Sequence, residues 1–262
     1  MKETGMDITP TGALGARVKG LAIGPLDEAV TTRLRLALAE HGVLAFRDPS
    51  ADDAAFTAFM DSFGPAVFTD GETPVAGHPT LNVVSNVGRT TPPRSVFHID
   101  TSYVSTPPAY TALRAVQLPE EGGETVFSDQ FEAYDRLGDD TRRRLRHALV
   151  THEASGMAIP DGEERRARHP LFLRHAHVDR TSLYLSTPAR CTEVSGLDAE
   201  HARAEIEALY EHSIAPPYAL RHRWVQGDVV IWDNRRTLHR ADHSGVVGDR
   251  VLHRAMSIDA AA

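Results

Sequence analysis

Val229-Val230-Ile231-Trp232-Asp233-Asn234-Arg235-Arg236-Thr237-Leu238-His239 is an apolar strand that runs into a polar turn and then delivers a histidine. Outward from it, a second strand is predicted over residues 250–257, so the chain closes on two strands, Asp228 to Trp232 and Arg250 to Ser257. Upstream, short strand-like runs recur from about residue 81: Leu81–Val84, Thr111–Val116, Thr125–Phe127 and Ser182–Leu185. Turns such as Pro107-Pro108 and Glu121-Gly122-Gly123 separate them. Residues 7–24 read as short strands around a turn, and Val43–Phe46 as a short buried strand. Helices are predicted from Asp27 to Glu40, stopped by Gly42, and from Asp52 to Phe63, stopped by Gly64 and Pro65. A helical pair is predicted over 129–149, and an amphipathic helix from Asp198 to His212. Many short strands with a few helices at the start and midway imply a mainly β chain: a double-stranded β-helix, or jelly-roll, decorated by N-terminal and inserted helices. Residues 1–262 are expected to form a single domain.

Composition narrows the function. Hydrophobic residues make up 41% and charged residues 24% of the 262 positions, as in ordinary globular chains. A formal net charge of -8 argues against a nucleic-acid partner, which leaves a basic footprint. A basic pocket for a small anion is compatible with it. The single cysteine, Cys191, excludes an intrachain disulfide and suits a reducing, cytoplasmic setting. Met1 to Gly5 lacks the apolar run of a secretory signal. No stretch approaches the ~20 apolar residues that span a bilayer. Histidines number 14, so only spacing and context can single out metal ligands.

Phe97-His98-Ile99-Asp100 places a histidine and a carboxylate two positions apart. In an extended segment such side chains share a side and can reach one metal. With His239 they form a set of two imidazoles and one carboxylate, which leaves three coordination positions open. That suits iron(II) binding a co-substrate and dioxygen together.

Residue for residue, Phe97-His98-Ile99-Asp100-Thr101-Ser102-Tyr103 resembles the W-H-x-D-x-[ST]-[FY] segment of the taurine dioxygenase (TauD/TfdA-type) family. That family includes aryloxyalkanoate dioxygenases and alkylsulfatases. Trp232 to Ala241 resembles its W-D-N-R-x-x-x-H-R-A segment, and Pro119 to Thr125 its P-x-x-G-G-x-T turn. The resemblance runs from Ile8-Thr9-Pro10 to Ser257.

The resemblance implies an iron(II) enzyme in which His98, Asp100 and His239 hold the metal and 2-oxoglutarate chelates it through its C1 carboxylate and C2 carbonyl. The family arginine that holds the C5 carboxylate falls on Arg250, and its threonine partner on Thr125. A buried carboxylate needs such a partner, and the guanidinium fork grips it bidentately. Arg254 shares a strand face with Arg250, and the resemblance implies that it meets the prime substrate, a small organic anion; a second contact to 2-oxoglutarate, or a salt bridge within the barrel wall, is the alternative. Thr69 stands where taurine dioxygenases carry a sulfonate-contacting histidine, just before the acidic Asp70 and Glu72, which makes taurine itself a poor expectation. The expected reaction couples oxidation by O2, by default hydroxylation, to release of succinate and CO2. Desaturation or another oxidation on the same centre is the alternative. A zinc hydrolase with the same ligands leaves Arg250 and Thr125 unexplained. A non-catalytic protein on the same fold has no use for the full set. A homo-oligomer, dimer or tetramer, is expected from the relatives.

Other signals are set aside. His175-Ala176-His177 falls in a family segment of loop and sheet residues, and His243 and His253 flank the last strand. All four are expected to be structural. Arg142-Arg143-Arg144 reads as a solvated helix face. The segment 150–170 is shorter than in many relatives, which predicts a more open or differently covered pocket.

Overall fold

The computed structural model describes residues 5–69, 71–88, 95–156, 159–215 and 219–261. Strands β1 (Asp7–Pro10) and β2 (Ala16–Lys19) pair antiparallel, and β2 lies parallel to β3 (Val43–Arg47). Helix α1 (Glu28–His41) fills the crossover between β2 and β3. Asp27 caps it, accepting from the Val30 amide at 2.8 Å. Gly42 ends it at φ +75°, a conformation open to glycine. Helix α2 (Asp53–Asp61) is capped in the same way by Asp52 and stops at Ser62, slightly short of the predicted Phe63.

The main sheet runs β3, β15 (Asp228–Asp233), β7 (Tyr110–Gln117), β17 (Val251–Ser257), β6 (His78–Ser85) and β5 (Pro74–Val75). Strand β4 (Ala66–Val67) pairs with β17, and β1 and β2 extend the opposite edge. The second sheet is β14 (Ala219–His222), β8 (Thr125–Asp129) and β16 (Thr237–Ala241).

Strand alternation sorts the core into two layers. Leu44, Phe46, Tyr110, Ala112, Val229 and Ile231 turn toward Leu34 and Leu38 of α1 and Phe56 and Phe59 of α2. Val43, Leu113, Ala115, Val230, Trp232 and Leu252 turn the other way and meet Phe127 of β8 between the sheets. Phe127 and Trp232 meet edge-on, with centroids 5.3 Å apart. Each such fully buried side chain contributes roughly 1.5–3 kcal/mol. Two facing sheets with helices outside are the expected jelly-roll.

A third body is inserted between β8 and β14. It comprises α3 (Gln130–Asp135), α4 (Asp139–Leu145), β9 (Leu149–Glu153), β10 (Arg166–Pro170), β11 (Phe172–Arg174), β12 (Thr181–Leu183), β13 (Cys191–Val194) and α5 (Ala199–Ser213). Val150, Leu171, Leu183, Ile206 and Leu209 build its core. On α4, Arg142 and Arg143 pair with Asp139 and Asp140, and Arg144 reaches Glu205, as a solvated face requires. Among the described residues no helix is long and apolar enough to cross a membrane.

One expectation needs correction. The chain closes on three strands, because the stretch read as a turn followed by a histidine continues into β16. The Arg236 amide donates to the Asp233 carbonyl at 3.1 Å, and the reversed chain then pairs with β8. Strands β9, β10 and β13 also escape a reading by apolar runs. β10, Arg-Ala-Arg-His-Pro, buries only Ala167 and His169 in an alternating pattern.

Candidate metal centre and pocket

The His98 amide donates to the His239 carbonyl at 3.0 Å, and the His239 amide returns the bond to His98 at 3.1 Å. Residues that exchange both bonds lie directly opposite across an antiparallel bridge, with side chains on one side. The two imidazole centroids are therefore 4.3 Å apart. Asp100 reaches the same point from a turn rather than from the extended run predicted. Its Oδ1 lies 3.6 Å from His98 Nε2 and its Oδ2 3.6 Å from His239 Nε2.

That turn is held under tension. Thr101 has φ +45°, the sole positive value at a non-glycine among the described residues. A β-branched residue there costs on the order of 1–3 kcal/mol. Neighbours hold it in place: Ser186 Oγ accepts from the Ile99 amide at 3.2 Å, Arg190 donates to the Ile99 carbonyl at 2.6 Å, and His169 donates to the Ser102 carbonyl at 2.9 Å. Thr69 and Thr101 share a hydroxyl hydrogen bond of 3.0 Å.

The three donors suit a cation. Burial would raise the Asp100 carboxyl, but His239, Arg254 and His98 outweigh it and hold it well below the usual carboxylate range. Burial pushes His239 down to about 3, with Asp100 opposing, so its imidazole is neutral, the form that ligates metals. His98 Nδ1 donates to the Val96 carbonyl at 2.9 Å, which leaves the Nε2 lone pair facing Asp100. A separation of 3.6 Å is too long for a hydrogen bond. The ligand atoms of all three residues lie within 4.8 Å of one another, close enough to converge on one ion. Thr111 Oγ1 donates to Asp100 Oδ2 at 3.0 Å and fixes the carboxylate plane. Sequence spacing gave no signal for Thr111.

The donors open into a cavity of about 460 Å³ between the sheets. Arg250 enters it beside β17, 1% exposed. Its Nε donates to the Gly123 carbonyl at 2.8 Å, and Nη2 lies 3.4 Å from Thr125 Oγ1. No carboxylate among the described residues pairs with it, and burial pushes the guanidinium down to about 10. Gly123, from the P-x-x-G-G-x-T turn, has φ +76°, and a Cβ there would meet Arg250 Cδ at 3.0 Å.

Arg254 lines the same cavity but corrects one expectation. Its guanidinium does not wait wholly unpaired for a substrate anion: Nη1 donates to Asp100 Oδ1 at 3.2 Å and Nη2 contacts Glu72, so two of its N–H groups are already engaged. Thr69 also lines the cavity, whereas Asp70 lies outside the described residues. Arg190, which sequence spacing did not mark, lines it too and sits over the Tyr103 ring at 5.5 Å. The set-aside histidines stand away from the centre. His175 pairs with Asp233 at 2.9 Å, His177 with Asp259 at 2.6 Å and His253 with Asp53 at 2.6 Å.

Four likenesses stand beside this geometry. The family model described as "Taurine catabolism dioxygenase TauD, TfdA family" matches residues 7–256. The (S)-phenoxypropionate/alpha-ketoglutarate-dioxygenase of Delftia acidovorans is 30% identical over 267 residues, covering 92% of this chain and 90% of its own length. Pentalenolactone F synthase of Streptomyces avermitilis is 29% identical, covering 97% of this chain and 94% of its own. Among solved structures, AAD-2 in complex with Mn(II) and N-oxalylglycine superposes with a TM-score of 0.82 at 26% identity, covering 97% of both chains. These likenesses give the hydrolase reading no support.

Proposed function

The chain belongs to the TauD/TfdA family of dioxygenases, and from that premise we propose that His98, Asp100 and His239 hold its iron(II) while Arg250 and Thr125 hold the distal carboxylate of its 2-oxoglutarate. The enzyme is a 2-oxoglutarate-dependent dioxygenase acting on a small organic substrate. Bound iron(II) supplies the centre at which 2-oxoglutarate and O2 become succinate and CO2 while the organic substrate is oxidised. The protein's own part is positional. The reciprocal bridge sets the two imidazoles, and Thr111 and Arg254 orient the Asp100 carboxylate.

The observation that carries this reading is Arg250, a buried cation with no acid partner among the described residues, in the same cavity as three convergent metal donors. A desolvated guanidinium left alone is costly, and a dicarboxylate co-substrate removes that cost. We read residues 1–262 as one domain whose prime substrate carries an acidic group, as phenoxypropionate does for the Delftia relative. On its lone buried cysteine we place the protein in the cytoplasm, and from its relatives we expect a homo-oligomer. The test is spectroscopic. Without oxygen, adding iron(II) and then 2-oxoglutarate to the protein should produce a weak visible band, absent in Asp100→Ala. A wild-type protein that never develops the band overturns the assignment.

A further inference from the structure

The dioxygenase reading leaves the substrate's recognised group open, and one pair in the cavity narrows it. A guanidinium offers five N–H donors. Arg254 gives one to Asp100 and one to Glu72, while its Nε is buried with no acceptor among the described residues. Glu72 turns one oxygen to Arg254 and stands nearer the opening, its side chain 30% exposed against 11% for Arg254. Both line the cavity above the metal donors. A simple anion arriving at Arg254 therefore meets a guanidinium already flanked by a carboxylate, and like charges at that range repel. Thr69 adds no cation to offset this, since its hydroxyl is engaged with Thr101. An acid that brings its own protonated nitrogen escapes the conflict, because the nitrogen can meet Glu72 while the acid takes the remaining N–H groups of Arg254.

Resting on the dioxygenase reading, we propose that the prime substrate is a zwitterion, an acid with a protonated nitrogen a few bonds away, and that Glu72 is the residue that selects it. Charge-assisted hydrogen bonds of this kind discriminate by about tenfold to a hundredfold.

The experiment uses matched pairs that differ in the nitrogen alone: phenylalanine against phenylpropionate, leucine against its deaminated analogue, and taurine against ethanesulfonate. The iron(II)-loaded enzyme is assayed for substrate-dependent succinate release and, without oxygen, for binding by calorimetry. At least one nitrogen-bearing member should bind and turn over about tenfold or more above its partner. In Glu72→Gln that ratio should fall by about tenfold, and Glu72→Asp should restore part of it. A general loss of positioning would lower both members of a pair together and leave the ratio alone. Preference for the nitrogen-free acids, binding of no member of any pair, or an unchanged ratio in Glu72→Gln overturns the proposal. Slow succinate formation without prime substrate reports the dioxygenase assignment separately, so its persistence beside a failed ratio sinks the Glu72 reading alone.

Discussion

A single guanidinium illustrates how burial becomes function. Arg250 and Arg254 stand four residues apart at one cavity, yet among the described residues Arg254 is paired with two acids and Arg250 with none. Arg250→Ala should therefore raise the dissociation constant for 2-oxoglutarate by two orders of magnitude or more. Losing one partner of a buried charge pair costs about 3–5 kcal/mol, and ~1.4 kcal/mol is tenfold. Calorimetric titration of the iron-loaded protein without oxygen reads this, and a change of less than a few-fold would refute the role. Asp100→Ala should abolish the binding of one iron(II) per chain, measured by metal analysis after desalting. The metal-free variant should stay folded by circular dichroism, because a large core remains, although its thermal midpoint should drop as Arg254 and Thr111 lose a buried partner. Retention of stoichiometric iron would remove Asp100 from the ligand set.

At the scale of elements, the turn before β8 bears directly on the site proposed for the co-substrate, because Gly123 packs against Arg250. Gly123→Ala would place a methyl 3.0 Å from Arg250 Cδ and 3.0 Å from Pro119 Cγ at a backbone φ of +76°. The variant should weaken 2-oxoglutarate binding by about tenfold while costing only on the order of 1 kcal/mol in stability, measured by urea unfolding. Unaltered 2-oxoglutarate affinity would show that the turn is mere scaffolding. The elements legible in the sequence were those with strong local signals. Asp27 and Gly42 bracket α1, and the apolar runs of β7 and β15 are buried on both faces. The inserted strands carry charged residues on their exposed face and look like loops. The grouping of His98, Asp100 and His239 was legible through motif spacing. What placed it, the bridge between His98 and His239 and the Thr111 hydroxyl beneath Asp100, joins segments distant in sequence and leaves no local trace. A salt bridge at Arg254 was among the readings of the sequence, but its partner, Glu72, escaped for the same reason.

Over the whole molecule, ion pairs tie the C-terminus back to the sheets and make stability depend on acid. Burial alone would raise the Asp259 carboxyl, but His177 and Arg235 outweigh it and hold it at about 2, below the ordinary 3.8. A depressed folded-state value means that this stabilisation is complete above the ordinary carboxylate pKa and is lost as pH falls through the folded one. The urea midpoint of the wild type should therefore decline as pH drops from 3.8 toward 2, and Asp259→Asn should be less stable above that window and flatter across it. Parallel slopes for the two proteins would exclude this residue as a source of acid sensitivity. The bridge between His98 and His239 has a further consequence at this scale. It latches a loop through which the entire inserted body is threaded. The entropy of closing a loop grows slowly, by ~0.6 kcal/mol for each doubling of length, so what is threaded through the latch can lengthen, shorten or be replaced at small energetic cost. A lineage built this way can exchange the walls of its reaction chamber again and again while the two imidazoles stay in register.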